Sequence, residues 1–360
     1  MKIKSVLLII QRSNGDVLLS ASLIRQIYEN FKPNKIDLLV NLDTLAIAKT
    51  LPNIHQIHTF SYIEKNENRF KQEKAIFKKI FRKYDLSINL TSSDRSIFYA
   101  LFASKNSISA VEDDNLKSWW KKLLLKNNYV FNLDSHILIN NLKPLNLLGL
   151  EPSNYQFPPE FNQIAVDSIH DKLSKLNISK FILFHPSAQY RYKVYDEKLR
   201  LDLLYLLDSL NIPIIISGGA NEIDMQIKKS LPRLKNVYDF IGETSIDEYI
   251  VLSSLSECYI GMDTLNMHIA ASQNKRIFAI FGPTNISMWS PWSNQLQTCA
   301  TQTREIQSYG NITIFQANMP CVACGEKGCQ NNGEVSACLN NINPQLIFEE
   351  IKEWLLSYSL

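Results

Sequence analysis

Short β-branched or apolar runs alternate with longer amphipathic stretches along nearly the whole chain, and this rhythm does most to narrow the fold. In the first half "KSVLLII", "KIDLLVN", "QIHTF", "DLSINL" and "SISAV" are separated by helical patterns such as "DVLLSASLIRQIYENF". The second half repeats it with "FILFH", "IPIIIS", a strand near Val237, "CYIGM" and "RIFAIFG", with helices expected near 164–176, 198–210, from Glu222, over 246–255 and from Thr264. Strand, helix, strand in succession implies mostly parallel sheets covered by helices on both faces. A length of 360 residues, 45% of them hydrophobic, is enough for two such domains.

The boundary falls where periodicity stops. "HILINNLKPLNLLGL" reads as a helix interrupted at Pro144, and "EPSNYQFPPEF" follows with three prolines and no pattern. We therefore expect an α/β chain of two Rossmann-like doubly wound domains, residues 1–155 and 156–343, with an interdomain cleft at the carboxyl ends of their strands. A last helix over 344–360 starts with Pro344 in its first turn.

The opening "MKIKSVLLIIQRSNGD" resembles a signal peptide superficially, but its apolar run is short and meets Gln11-Arg12, so a buried strand is expected. No stretch approaches the roughly 18 consecutive apolar residues of a membrane span. A cytoplasmic protein is the expectation. With a net charge of only +3 the chain does not resemble a polybasic nucleic-acid-binding protein, and no nucleic-acid partner is expected, although anionic ligands or an anionic membrane face are compatible with it. "SWWKKLLLK" (118–126) reads either as a short basic-aromatic lipid-docking segment or as a packed amphipathic helix.

Five strand-end stretches hold residues suited to chemistry. In "RSNGD", Arg12, Ser13 and Asp16 follow the first strand, where Asp16 is either a helix-capping carboxylate or a general base. No G-x-G-x-x-G is present, which disfavours a nicotinamide cofactor on this turn. "FHPSAQYRYKVYD" brings His185, Ser187, Arg191 and Lys193 to one strand end, either a solvated basic loop or the cations and hydroxyls a diphosphate needs. In "ISGGANEID", Glu222 is either part of a capped helix start or a ribose contact. "GMDTLNMHIAAS" sets Asp263 and Thr264 at a strand-to-helix junction, with His268 one turn further on. "FGPTNISMWSPW" adds a Gly-Pro turn and two tryptophans.

Four of the six cysteines stand in "CVACGEKGCQNNGEVSAC" (321–338). Cys321 and Cys324 form one C-x-x-C pair, whereas eight residues separate Cys329 from Cys338, a spacing permissive of a metal site rather than diagnostic of one. A structural zinc or iron site and a loop of free or oxidised thiols both remain open. A zinc-stabilised binding module is the non-enzymatic reading of the chain.

Taken in order, "RSNGD", "HPSA…K", "SGGANE", "GMDTLNMHIAA" and "FGPTN…W" resemble glycosyltransferase family nine, the ADP-heptose:lipopolysaccharide heptosyltransferases. The resemblance covers nearly the whole chain. It implies a GT-B fold, acceptor binding by the first domain, including Arg12 and Ser13, and donor binding by the second, with the last helix returning to the first domain. It implies Asp16 as general base and Lys193 as the cation facing the donor diphosphate. His185, Ser187, Arg191, Glu222, Asp263, Thr264 and His268 are then donor contacts. The implied reaction is an inverting transfer of heptose from ADP-heptose to a lipopolysaccharide or lipooligosaccharide inner-core acceptor, with no cofactor required, at the cytoplasmic face of the inner membrane. Transfer of heptose or another sugar to a protein or surface glycan is the alternative on the same fold. Leu265 and Asn266 after the Asp-Thr pair, Tyr195 in place of a common Trp, and the Tyr190-Arg191-Tyr192 enlargement depart from the family pattern. They bear on the donor sugar more than on the reaction type.

Overall fold

The computed structural model of the chain describes residues 3–358. It has two compact units, divided between Glu160 and Phe161. The first carries strands β1 (Ser5–Ile10), β2 (Lys35–Asn41), β3 (Gln56–Phe60), β4 (Leu86–Asn89), β5 (Ser107–Val111) and β6 (Asn127–Val130). They form one parallel sheet in the order β3-β2-β1-β4-β5-β6. Val6 to Ile10 are all buried, as a central parallel strand covered on both faces requires. Strand order reverses between β1 and β4, so the loop leaving β1 opens at the switch point where such sheets hold ligands. That loop is Gln11 to Ser13, the entry to the Asp16 turn.

The second unit carries β7 (Ile182–His185), β8 (Ile214–Gly218), β9 (Val237–Ile241), β10 (Cys258–Met262), β11 (Arg276–Ile280), β12 (Ile306–Tyr309) and β13 (Ile312–Phe315), in the order β12-β13-β11-β10-β7-β8-β9. All pairs are parallel except the hairpin β12-β13, which the helix-strand rhythm did not announce. Here the reversal lies between β7 and β10. The loops after these two strands, carrying Lys193 and Asp263, are therefore neighbours although 70 residues apart. Close pairing at this point depends on Gly261, where an added Cβ would collide with the His185 carbonyl oxygen.

Three expectations need correction. The first unit extends to Glu160 rather than 155, because the proline-rich strap is tied to it. Gln26 accepts from the Ser153 N–H at 2.8 Å and donates to the Asn154 carbonyl at 2.7 Å, and the Glu160 N–H donates to the Thr50 carbonyl at 2.8 Å. Pro144 does not interrupt its helix, which runs Ile137–Leu147 with the proline in its last turn. Finally, the terminal helix Pro344–Tyr358 builds into the core of the second unit instead of returning to the first. Its apolar face, Ile347, Phe348, Ile351 and Leu355, joins the core that contains Leu203, Leu207, Phe278 and Ile280, and the Trp354 ring meets Phe278 edge-on at 5.8 Å. The last two residues of the expected 344–360 helix lie outside the described residues.

Candidate active site

In the first unit the chain leaves β1 and turns at once into the short helix Asn14–Leu18. Asp16 is only 4% exposed. Arg12 Nε lies 2.9 Å from one carboxylate oxygen, while the Ser13 hydroxyl and N–H donate to the other at 2.6 and 3.2 Å. The capping and catalytic readings are therefore compatible, because the contacts that start the helix also aim the carboxylate. Arg12 is itself braced: its guanidinium carbon sits 4.7 Å from the Phe131 ring centroid, and the Asn41 amide donates to its carbonyl at 3.2 Å.

Phe131 also lines a pocket of about 550 Å³, together with Ser92, Glu112, Asn132, Asp134 and Lys143. Lys121, almost fully buried, organises one wall by donating to Glu112 and to the Ser92 carbonyl, both at 2.8 Å. Desolvation is the largest single influence on Lys121 and lowers its pKa, but the carboxylates of Asp94 and Glu112 together overcome it and leave the pKa raised. Several carboxylates beside one or two ammonium groups suit a polyhydroxylated ligand, whose hydroxyls donate to the former and accept from the latter. The sequence reading missed this pocket, since its residues come from the ends of β4, β5 and β6 and, with Lys143, from the helix Ile137–Leu147, with no shared motif.

In the second unit, Lys193 Nζ stands 2.9 Å from Asp263 Oδ2. Desolvation opposes the charge on Lys193, but Asp263 outweighs it and the ammonium pKa is raised. Thr264 is the N-cap of the helix Leu265–Ser272, its hydroxyl oxygen accepting from the Asn266 N–H at 3.3 Å. His268, 3% exposed, sits on the buried side of that helix. Burial pushes its pKa down to about 4, with Asp263 opposing and Lys193 reinforcing the shift. A fixed cation, a capped helix start and a carboxylate together provide what an anionic, hydroxyl-bearing ligand needs.

His185 belongs to a layer behind this group. Its ring accommodates the Ser217 hydroxyl at 3.1 Å and the Asn266 side-chain amide at 2.9 Å, and burial lowers its pKa. Ser187, 2% exposed, follows at the strand end. Asn266, one of the departures from the family pattern, thus links the His185 loop to the Thr264 helix.

Arg191 and Glu222 are placed differently. They pair with each other at 2.7 Å on the surface, Arg191 also reaching Gln226 at 2.7 Å and Glu334 at 3.8 Å. The buried acid after the glycines is Asp224, which accepts from the Gly219 N–H at 2.7 Å. The N-x-x-D spacing of Asn221 and Asp224 was the available signal for that cap.

The cysteines of the 321–338 segment are free thiols, three exposed and Cys338 buried. Burial pushes Cys338 up to about 11, with the other three thiols adding to the shift. Among the described residues no group of three or more His, Cys, Asp or Glu side chains is arranged to hold a metal ion. The segment is tied to the loops that follow β7 and β11: the Ser336 hydroxyl donates to the Tyr192 carbonyl at 2.6 Å, and the Gly325 N–H donates to the Pro283 carbonyl at 2.7 Å.

The model of the family described as glycosyltransferase family 9 (heptosyltransferase) matches residues 74–317. Lipopolysaccharide heptosyltransferase 3 of Escherichia coli is 24% identical over 296 residues, 79% of this chain and 85% of that protein. The glycosyltransferase family 9 structure from Veillonella parvula DSM 2008 superposes with a TM-score of 0.78 at 14% identity, covering 99% of both chains. An E. coli heptosyltransferase solved with ADP-2-deoxy-2-fluoro heptose gives 0.70 at 16% identity, over 97% of this chain and 99% of that one.

Proposed function

This chain belongs to glycosyltransferase family 9, the heptosyltransferases, and from that premise we propose that it transfers heptose from ADP-heptose to a sugar hydroxyl of a lipopolysaccharide inner core. The observation that carries the donor half of the reading is the Lys193–Asp263 pair at the start of a capped helix, on the switch point of the second sheet. In this reading Lys193 and the N–H groups after Thr264 face the diphosphate, where negative charge grows as the glycosidic bond to ADP breaks. Asp263 holds the lysine in place and is available to a donor hydroxyl. Neutral His268 shapes the floor beneath them.

Asp16 takes the acceptor proton as the hydroxyl oxygen attacks the anomeric carbon. The ADP oxygen departs from the opposite face with the bonding electrons, so one displacement inverts the anomeric centre. Arg12 and Ser13 orient the base, and the carboxylate-lined pocket beside Phe131 receives the acceptor sugar. The names of the similar proteins support donor and acceptor class. In this reading the enzyme works at the cytoplasmic face of the inner membrane; no described helix is long and apolar enough to cross one.

The test is nucleotide release measured with ADP-, UDP- and GDP-sugars against a lipopolysaccharide core acceptor, with the product identified by mass. Release of ADP with a heptose-sized mass gain is expected. Turnover with UDP-sugars only overturns the donor assignment, and a mass gain only on protein overturns the acceptor.

A further inference from the structure

The helix Asn115–Leu124 is anchored by its buried side, where Lys121 binds Asp94 and Glu112 at 2.8 Å. Its other side is turned to solvent with an unusual load: Leu116 is 88% exposed, Trp119 63% and Leu123 75%. These positions recur at three and four residues and form one stripe. The stripe does not stop at the helix. Trp120 stacks on Phe98 at 5.3 Å, Phe102 lies one turn along the helix Asp94–Ala103 from Phe98, and Phe81 follows at 6.0 Å from Phe102. Phe81, Phe98 and Phe102 are all exposed. A continuous apolar and aromatic band of this extent on a soluble surface marks a contact face.

The charge around the band identifies what covers it. Between Tyr62 and Lys126 there are fourteen Lys and Arg against eight Asp and Glu, an excess greater than the +3 of the whole chain. Arg82, Lys105 and Lys126 are exposed beside or between the aromatic positions, and none of them enters a described ion pair. A twofold contact with a second copy would set these cations against their own equivalents. An anionic bilayer offers the opposite: apolar depth for Leu and Trp, an interface for aromatic rings, and headgroup charge for lysine and arginine.

We propose that the face formed by the helices Asn115–Leu124 and Asp94–Ala103, with Phe81 and Arg82, docks the enzyme on an anionic phospholipid bilayer. This deepens the lipid-acceptor reading above, since it places the first unit, which carries Asp16, on the surface that displays the acceptor. It rests on that reading only for its purpose. The face itself stands on exposure and charge.

Sedimentation of the full chain with vesicles tests it, using phosphatidylglycerol-containing and pure phosphatidylcholine vesicles. Binding to the anionic vesicles alone, weakened by salt, is expected. Trp119→Ser with Leu123→Ser, and separately Arg82→Glu with Lys105→Glu and Lys126→Glu, should each lower partitioning by about tenfold or more. Because these side chains are exposed, far-UV circular dichroism and turnover of a deacylated, water-soluble acceptor should match the parent. Absence of binding by the parent, or equal binding by both variants, overturns the proposal. So does a parent dimer that the Trp119→Ser, Leu123→Ser variant dissociates. Vesicle binding without turnover of any ADP-sugar sinks the transferase reading and leaves this one standing.

Discussion

Lys193 and Asp263 are 70 residues apart in sequence yet their charged atoms meet at 2.9 Å, because β7 and β10 lie side by side where the strand order of the second sheet reverses. In the proposed reading, replacing Lys193 with Ala leaves the departing diphosphate without its cation. The expected loss is about 10² to 10³ in kcat/KM, with most of it in kcat. Lys193→Arg should recover part of it, since charge survives while the point-like geometry does not. Steady-state kinetics on both variants checks this. A KM effect alone would show that Lys193 binds the donor without assisting departure.

The same ammonium bears on the role of metal ions. In the proposed reading, a fixed, charged lysine at a capped helix start takes over the neutralisation that a divalent ion performs in other transferases. Transfer is therefore expected to continue undiminished in excess chelator. A rate that falls on chelation and returns with added magnesium would contradict the assignment to Lys193.

Asp16 is held by two Ser13 donors and an ion pair with Arg12. Asp16→Ala should lower the transfer rate by about 10³-fold or more while ADP binding, measured by calorimetry, is kept. Arg12→Ala should act through orientation, with a smaller loss in kcat than Asp16→Ala. If Asp16→Ala transfers sugar at the parent rate, the base lies elsewhere.

Much of this site is readable from sequence for local reasons. Arg12, Ser13 and Asp16 are within one turn of each other at the end of an apolar run, so their proximity requires only that β1 ends where it does. The Lys193 and Asp263 loops are each recognisable as strand ends, but their contact depends on sheet order, which no short window contains. The pocket beside Phe131 gathers residues from three strand ends and one helix and leaves no spacing to find. The apolar face of the terminal helix announces its burial through Ile347, Ile351 and Leu355, whereas the surface that receives it is set by the core around Phe278. Amphipathicity names the buried side of a helix and is silent about its partner.

Ser336 joins the cysteine-bearing segment to the Lys193 loop through its bond to the Tyr192 carbonyl. Losing one such bond costs about 1 kcal/mol. Ser336→Ala should therefore raise the donor KM severalfold and leave the acceptor KM unchanged. A selective acceptor effect would detach the segment from the donor side.

His268 ties stability to pH. Its folded pKa is about 4, below the ordinary value of 6.5, because burial disfavours the imidazolium. Between these values the unfolded chain binds a proton that the folded chain does not, so stability rises with pH across the window and is lost as pH falls from 6.5 towards 4. Taken to completion the contribution is about 3 kcal/mol. His185, with its pKa lowered by the same cause, acts in the same direction. Denaturant unfolding followed at steps between pH 7.5 and 4.5 should show a falling midpoint. In His268→Gln, which cannot titrate, the fall should be shallower than in the parent. Identical slopes in the two proteins would show that His268 titrates alike in the folded and unfolded chains, and the burial-driven shift assigned to it would be refuted.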